Sequence, residues 1–191
     1  MAYNYLTITN EVCRRLNETE LTSSNFASTT GFYSQIKDSV NSSVRDVNQK
    51  HFSWPFNHNT DDIILTAGEL RYPLPDNAKY TDFDTVRLAR NAALGAGSAR
   101  LLKQLSYDEY ISRYIDQEYE TDTSKGQAPE YVVRSQDGDI IVAPMPDAAY
   151  TIEYEFFMFP ADLEVYDDVP TIPFRFKHVI VDGAMYHSYM F

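Results

Sequence analysis

The side chains most often used in catalysis are few in this chain and poorly spaced for it. Its four histidines are His51, His58, His178 and His187. No two lie three or four residues apart, the spacing that places two imidazoles on one helix face for a metal ion. His178 and His187 fall on nearly opposite faces of a predicted helix. The histidines therefore predict neither a metal site nor a catalytic pair.

Carboxylates are plentiful, but no pair stands out as a site for acid–base chemistry. Neighbouring acids occur at Asp61-Asp62, at Glu118 with Glu120, and at Asp167-Asp168. A glycosidase needs two carboxylates about 5–10 Å apart in a cleft. In a chain with a formal charge of −12, acidic stretches are typical of solvated surface. A cell-wall glycoside hydrolase is therefore the least favoured function.

Neither a nucleophile nor a phosphate loop is indicated. Cys13 is the single cysteine and occupies a core position of the first predicted helix, which favours a packed, unreactive thiol. Gly95-Ala96-Gly97 lacks both the six-residue glycine spacing of a dinucleotide loop and the Lys-Ser/Thr of a P-loop. The sequence predicts a protein that is not an enzyme and holds no cofactor or metal.

The charge of the chain limits its partners. A formal charge of −12 and a pI near 4.6 disfavour specific DNA binding and membrane binding, because phosphate contacts need clustered Lys and Arg. An acidic surface is suited to letting DNA pass without adsorbing. The sequence shows neither a secretory signal nor a membrane span, so we expect synthesis and folding in a cytosol.

The main helical element is predicted between Ser28 and Phe56. Apolar residues recur there every three or four positions, and Ser28 to Thr30 are expected to cap the helix. The stripe comprises Phe32, Ile36, Val40, Val44 and Val47. Pro55 predicts a helix end at Phe52 or Ser53. We expect Phe52, Trp54, Pro55 and Phe56 to form an aromatic plug at this corner.

The middle of the chain shows the period of two that is typical of strands. We expect a hairpin over 61–75, a strand at 83–88 paired with 99–105, and a hairpin at 129–144. Residues 150–159 are expected to complete a three-stranded meander. A short helix over 106–119 begins at a capping box of Ser106 and Glu109. Its tyrosine face predicts packing on the sheet or a subunit contact through Tyr107, Tyr110 and Tyr114.

These elements predict an α+β fold in a single domain, 1–191. An antiparallel pair of N-terminal helices spans 6–53, with the first helix in 6–18. This pair and a C-terminal helix, 174–191, are expected to pack with an antiparallel β-sandwich or meander. The β-rich part spans 60–160 and carries the inserted helix. Acidic segments at 116–128 and 160–173 are predicted to be loops, the first of them mobile.

Three stretches carry a resemblance to a known family. They are LTITNEVCRRLNETELTSS (6–24), FYSQIKDSVNSSVRDVNQKHFSWPFNHN (32–59) and the hairpin with RYPLPDNAK (71–79). Their layout resembles the head-to-tail adaptor (connector) proteins of tailed bacteriophages, especially the tail tubular protein A-like adaptors of short-tailed phages. The resemblance covers mainly residues 6–80.

The resemblance implies a structural virion protein in the neck of the particle. A homo-oligomeric ring of about twelve copies would dock under the portal protein, carry the DNA channel onward and attach a downstream tail or nozzle protein. DNA would pass without specific binding. Packing so much like charge needs compensation, so we expect cations to lie at subunit or portal contacts. The candidates are Arg87, Arg90, Arg100 and Lys103.

A carbohydrate-binding β-sandwich module is the alternative. It would use aromatic rings as sugar platforms and needs coplanar exposed rings. Most Tyr and Phe here alternate as core residues do, and the single Trp lies at a helix end. The adaptor is therefore the favoured function.

Overall fold

The computed structural model describes residues 3–90 and 99–190, and the predicted α+β fold class is confirmed. The chain divides into two compact units. Unit 1 comprises Met1–Asn57 and Phe159–Phe191, and unit 2 comprises His58–Met158. The predicted glycine loop at 91–98 lies outside the described residues.

Unit 1 is built on three helices: α1 (Tyr5–Arg15), α2 (Phe32–Gln49) and α4 (Lys177–Tyr189). The Tyr5 hydroxyl donates to the Lys37 carbonyl, and Tyr33 at the start of α2 donates to Glu18 just beyond α1. These contacts show that α1 and α2 run antiparallel, as predicted. Their core includes Ile8, Val12, Phe26, Ile36, Val40, Ile180 and Ala184.

Helix α2 begins and ends at residues other than those predicted. Its N-cap is Gly31, with a φ of 64°, and no side chain caps it, so the expected caps at Ser28 to Thr30 are wrong. Ser28 belongs to a 3₁₀ turn, Phe26–Ser28, in which Phe26 is buried. The chain then enters α2 through a residue with positive φ, a conformation that glycine adopts readily. The helix ends at Gln49, before the predicted Phe52 or Ser53.

Helix α4 follows a 3₁₀ turn, Phe174–Phe176, and packs closely against α2. A Cβ atom added at Gly183 would lie 2.2 Å from the Ser43 Oγ atom. Glycine therefore permits the approach of the two helices. The outer side of α4 exposes Tyr186, Tyr189 and Met190.

Unit 2 is a sandwich of two four-stranded sheets. Its strands are β1 (His58–Ile64), β2 (Arg71–Tyr72), β3 (Ala78–Leu88), β4 (Arg100–Leu101), β5 (Lys103–Leu105), β6 (Tyr131–Arg134), β7 (Ile140–Ala143) and β8 (Thr151–Met158). Sheet A has the order β1-β8-β3-β4 and is antiparallel; sheet B has the order β2-β7-β6-β5, with β5 and β6 parallel. Residues such as Val86, Ile140, Ile152 and Tyr154 fill the space between them.

Three predicted strand pairings are corrected. Residues 61–75 do not form a hairpin, because β1 pairs with β8 in sheet A and β2 with β7 in sheet B. The meander is also wrong, since β8 lies in sheet A while β6 and β7 lie in sheet B. The predicted pairing of segment 99–105 with β3 holds for β4 and for the Leu102 amide, which donates to the Val86 carbonyl. After Leu102 the segment joins sheet B as β5. The β6–β7 hairpin is confirmed.

A second layer of apolar residues lies on the other face of sheet B. Helix α3 (Tyr107–Tyr114) covers this face, and a 3₁₀ turn, Ile115–Tyr119, continues the predicted segment. The Ser106 side chain accepts a hydrogen bond from the Glu109 amide, as its capping role predicts. All four residues of β7 are buried, which explains its uninterrupted run of apolar side chains.

Candidate interaction site

The aromatic corner after α2 is held by one hydrogen bond and by ring packing. Trp54 Nε1 donates to the Val47 carbonyl at 2.8 Å, and the Trp54 and Phe56 rings stack with centroids 5.2 Å apart. Pro55 opens the 3₁₀ turn that carries Phe56. The inclusion of Phe52 in this plug is wrong, because its side chain is 72% exposed.

Beside this corner lies an open apolar groove of about 260 Å³, which we call the Trp54 groove. It is formed by the end of α2, the corner, the segment before α4 and the start of α4. Its lining residues are Val47, Lys50, Trp54, Phe56, Ile172, Phe176 and Val179. Only Lys50 carries a charge. A groove of this composition is suited to bind an apolar or aromatic side chain rather than a polar metabolite.

Two cations mark the rim of the Trp54 groove. Lys50 lines it directly, and the Arg175 guanidinium lies 4.9 Å from the centroid of the Phe176 ring. Neither forms an ion pair with any residue in the part of the chain that the structure describes. The nearby Asp46 carboxylate lies 2.9 Å from His187 Nε2. The groove therefore has a basic rim in a strongly acidic protein.

The predicted tyrosine face of α3 is mostly interior. Tyr110 is fully buried, and its hydroxyl donates to Glu118 Oε1 at 2.5 Å, while Arg71 Nε donates to the same oxygen at 2.8 Å. Burial, reinforced by the hydrogen bond to Glu118, raises the pKa of Tyr110. An interface role for Tyr110 is therefore wrong. Tyr107 and Tyr114 are half-buried against the same cluster.

The exposed tyrosine of this region is Tyr119, which the sequence analysis did not single out. It is 80% exposed and lies in the acidic segment 116–122, DQEYETD. Gln117 and Glu118 tie the residues before it to the sheet, since Gln117 Oε1 accepts from the Met145 amide at 2.8 Å. The segment predicted as a mobile loop is thus hydrogen-bonded in place. The sequence signal that could have identified Tyr119 is a single aromatic residue with acidic residues on both sides.

The predicted contact cations lie apart from the Trp54 groove residues in sequence and have different partners. Arg87 Nε donates to Glu153 at 2.8 Å and Arg100 donates to the Pro129 carbonyl at 2.7 Å. Arg90 and Lys103 form no ion pair with the described residues. Hydrogen bonds from His58 and Arg87 lower the pKa of Glu155. The role of these four cations at contacts between chains stays a prediction.

The described residues do not form the arrangement that a metal site requires. In ranges 3–90 and 99–190, no group of three or more His, Cys, Asp or Glu side chains could hold a metal ion. Cys13 is fully buried, which confirms its predicted core position, and burial raises its pKa to about 11, which disfavours the nucleophilic thiolate. No helix among the described residues has the length and apolar character needed to cross a membrane.

Comparison with known proteins identifies a family. The family model described as SU10 adaptor protein matches residues 3–191. No protein with a curated description matches the chain. The match extends well beyond residues 6–80, where the sequence resemblance was concentrated.

Proposed function

The chain belongs to the SU10 adaptor protein family and is a structural component of a bacteriophage virion, and we propose that it forms the head-to-tail adaptor ring. About twelve copies dock under the portal, extend the DNA channel and provide the attachment site for the tail or nozzle protein. The protein acts by contact rather than by catalysis. The observation that carries this proposal is the family match over nearly the whole chain.

The charge of the chain is compatible with a DNA channel. Each copy carries a formal charge of −12, and a closed ring multiplies that charge around its bore. Phosphate groups are repelled by such a surface, so DNA crosses it without the counterion-release binding that basic proteins show.

Exposed apolar surface on unit 1 is consistent with assembly. Phe52, Phe174, Tyr186, Tyr189 and Met190 are all exposed. Scattered apolar residues are ordinary on a protein surface, but several large exposed rings in a unit that also carries an apolar groove are typical of a contact surface. This surface offers places for a neighbouring copy and for the portal.

The native mass of the full chain tests the proposal. The chain is measured alone and after mixing with the portal ring of the same virus, with the portal ring of an unrelated phage as the control. We expect a ring-sized species alone or only with the matching portal. A chain that stays at 22.0 kDa in every sample overturns the proposal.

A further inference from the structure

Resting on the proposed ring, we infer that adjacent copies are joined by Tyr119 of one copy, which inserts into the Trp54 groove of the next. The occupant of the groove is thus a second copy of this chain. Two features carry the inference: an apolar groove with a basic rim, and an exposed aromatic ring with an acidic surround.

The shape and polarity of the Trp54 groove fit a tyrosine. Its volume of about 260 Å³ leaves room for an aromatic ring. Trp54, Phe56 and Phe176 provide ring surfaces against which another ring packs edge-on or offset. Lys50 at the rim is positioned for the phenolic oxygen, which remains at the edge when the ring is buried.

The backbone that carries Tyr119 is held in place by hydrogen bonds within its own chain. Its preceding residues are fixed by three hydrogen bonds: Met145 to Gln117, and Tyr110 and Arg71 to Glu118. On the other side, Glu120 accepts from Lys125 Nζ at 2.5 Å. A protruding ring on a backbone that is already ordered loses little conformational entropy on binding. Such rings are typical interface anchors.

The charges around the two surfaces are complementary. The acidic segment holds Asp116, Glu118, Glu120 and Asp122 and contains no Lys or Arg. Glu118 and Glu120 already have Arg71 and Lys125 as partners, whereas Asp116 is exposed. At the Trp54 groove, Lys50 and Arg175 have no ion-pair partner among the described residues. Bringing these surfaces together supplies the missing counter-charges and orients the approach.

The contact is heterologous, because it joins the groove of unit 1 in one copy to Tyr119 of unit 2 in the next. Repeating a heterologous contact around an axis closes a ring, whereas a self-complementary patch stops at a dimer. One tyrosine does not supply the area of about 1,200–2,000 Å² that a stable interface buries. Tyr119 is therefore the anchor of a larger contact, which includes the exposed rings around the groove.

Photo-crosslinking tests the contact directly. A benzophenone amino acid replaces Tyr119 in the full chain, and the ring is assembled from a mixture of ¹⁵N-labelled and unlabelled copies. We expect crosslinks between copies that map to peptides containing Trp54 or Phe176. The matched control places the same group at Tyr80, an exposed tyrosine of sheet A, and yields no groove crosslinks.

Substitutions measure the strength of the contact. Tyr119→Ala should raise the concentration needed for half-assembly at least tenfold, whereas Tyr80→Ala should change it less than twofold. Lys50→Glu should weaken assembly, and adding Asp116→Lys to that variant should restore it. Circular dichroism confirms that each variant is folded.

The outcomes separate this inference from the proposed ring. If a ring forms but Tyr119→Ala assembles normally, or the crosslinks map only within one copy or to the portal, the inference is overturned and the ring stands. If the unmodified chain forms no ring with or without its portal, both are overturned.

Discussion

In unit 2 the aromatic rings are mostly interior, whereas in unit 1 many of them face solvent. Tyr154 and Phe156 are buried inside the sandwich, and Tyr110 of α3 is buried against sheet B. In unit 1, Phe52, Phe174 and Tyr189 are exposed. Unit 2 has two apolar layers, one between the sheets and one between sheet B and α3, and most of its rings are buried in them. Unit 1 has a single core between its three helices, and several of its rings lie outside that core and face solvent.

The two units also differ in how charges are used. In unit 1, ion pairs tie separate elements together: Arg15 with Asp182, Lys177 with Glu11, and Arg45 with Asp162. In unit 2, Arg87 bridges Glu153 and Glu155 on the outer face of sheet A. Both units are therefore stabilised by ion pairs within themselves, and the exposed rings are what distinguishes unit 1 from unit 2.

A core truncation in unit 1 should have the largest effect. Phe26 is 1% exposed and packs edge-on against Tyr5. Phe26→Ala should lower the free energy of unfolding of unit 1 by about 3–5 kcal/mol, because a cavity replaces the ring. Trp54 is the single Trp and lies in unit 1, so urea denaturation followed by its fluorescence reports on that unit.

Tyr189→Ala is the matched control for this truncation. Its ring is 73% exposed, so the free energy of unfolding should change by less than about 0.5 kcal/mol. If both variants shift the fluorescence transition equally, the distinction between interior and surface rings in unit 1 is wrong.

Breaking the charged network of unit 2 should have the next largest effect. Glu118→Gln should destabilise unit 2 by about 1–3 kcal/mol, because Arg71 loses its ionised partner. Tyr110→Phe removes one hydrogen bond and should cost about 1 kcal/mol. Far-UV circular dichroism detects both losses. If the units unfold separately, the Trp54 fluorescence transition should remain in place; an equal shift in both signals would show one cooperative unit.

The close approach of α4 to α2 predicts a smaller loss. Gly183→Ala places a methyl group against Ser43, and overpacking typically costs about 1–3 kcal/mol. Alanine regains about 1 kcal/mol in helix propensity, so a net loss of about 1 kcal/mol is expected by fluorescence denaturation. Ser43→Ala removes the nearest atom and should suppress the loss. A Gly183→Ala variant more stable than the parent chain would contradict the packing.

Acid titration should give the smallest effect. Hydrogen bonding to Arg45 lowers the pKa of Asp162 below its ordinary value of 3.8 in the folded chain. The pair therefore stabilises unit 1 above about pH 4 and loses its contribution as the pH falls through the folded pKa. Because the pair is partly exposed, we expect about 0.2–1 kcal/mol. Urea denaturation followed by Trp54 fluorescence from pH 7 to pH 3 measures this contribution. Asp162→Asn should make the free energy of unfolding less dependent on pH in that range. An unchanged pH dependence would show that the pair does not contribute to stability.

Local patterns in the sequence determined the helices and one hairpin. The three- and four-residue spacing of apolar residues located α1 and α2, and a stretch that is apolar on nearly all sides located α4. The residues Gln136-Asp137-Gly138 located the turn between β6 and β7. Gly138 has a φ of 95°, a conformation that glycine adopts without strain. The absence of catalytic spacing among the four histidines was equally visible, because such motifs are defined by positions along the chain.

Only the tertiary structure decided which strands share a sheet and which tyrosine is exposed. Alternation identifies a strand but carries no information about its neighbour, so β8 was assigned beside β7 although it lies between β1 and β3. Tyr110 and Tyr119 both follow Ser106 in an amphipathic stretch, yet one is buried and the other exposed. The Trp54 groove joins residues 47–56 to residues 172–179, a contact between distant segments that no local pattern encodes.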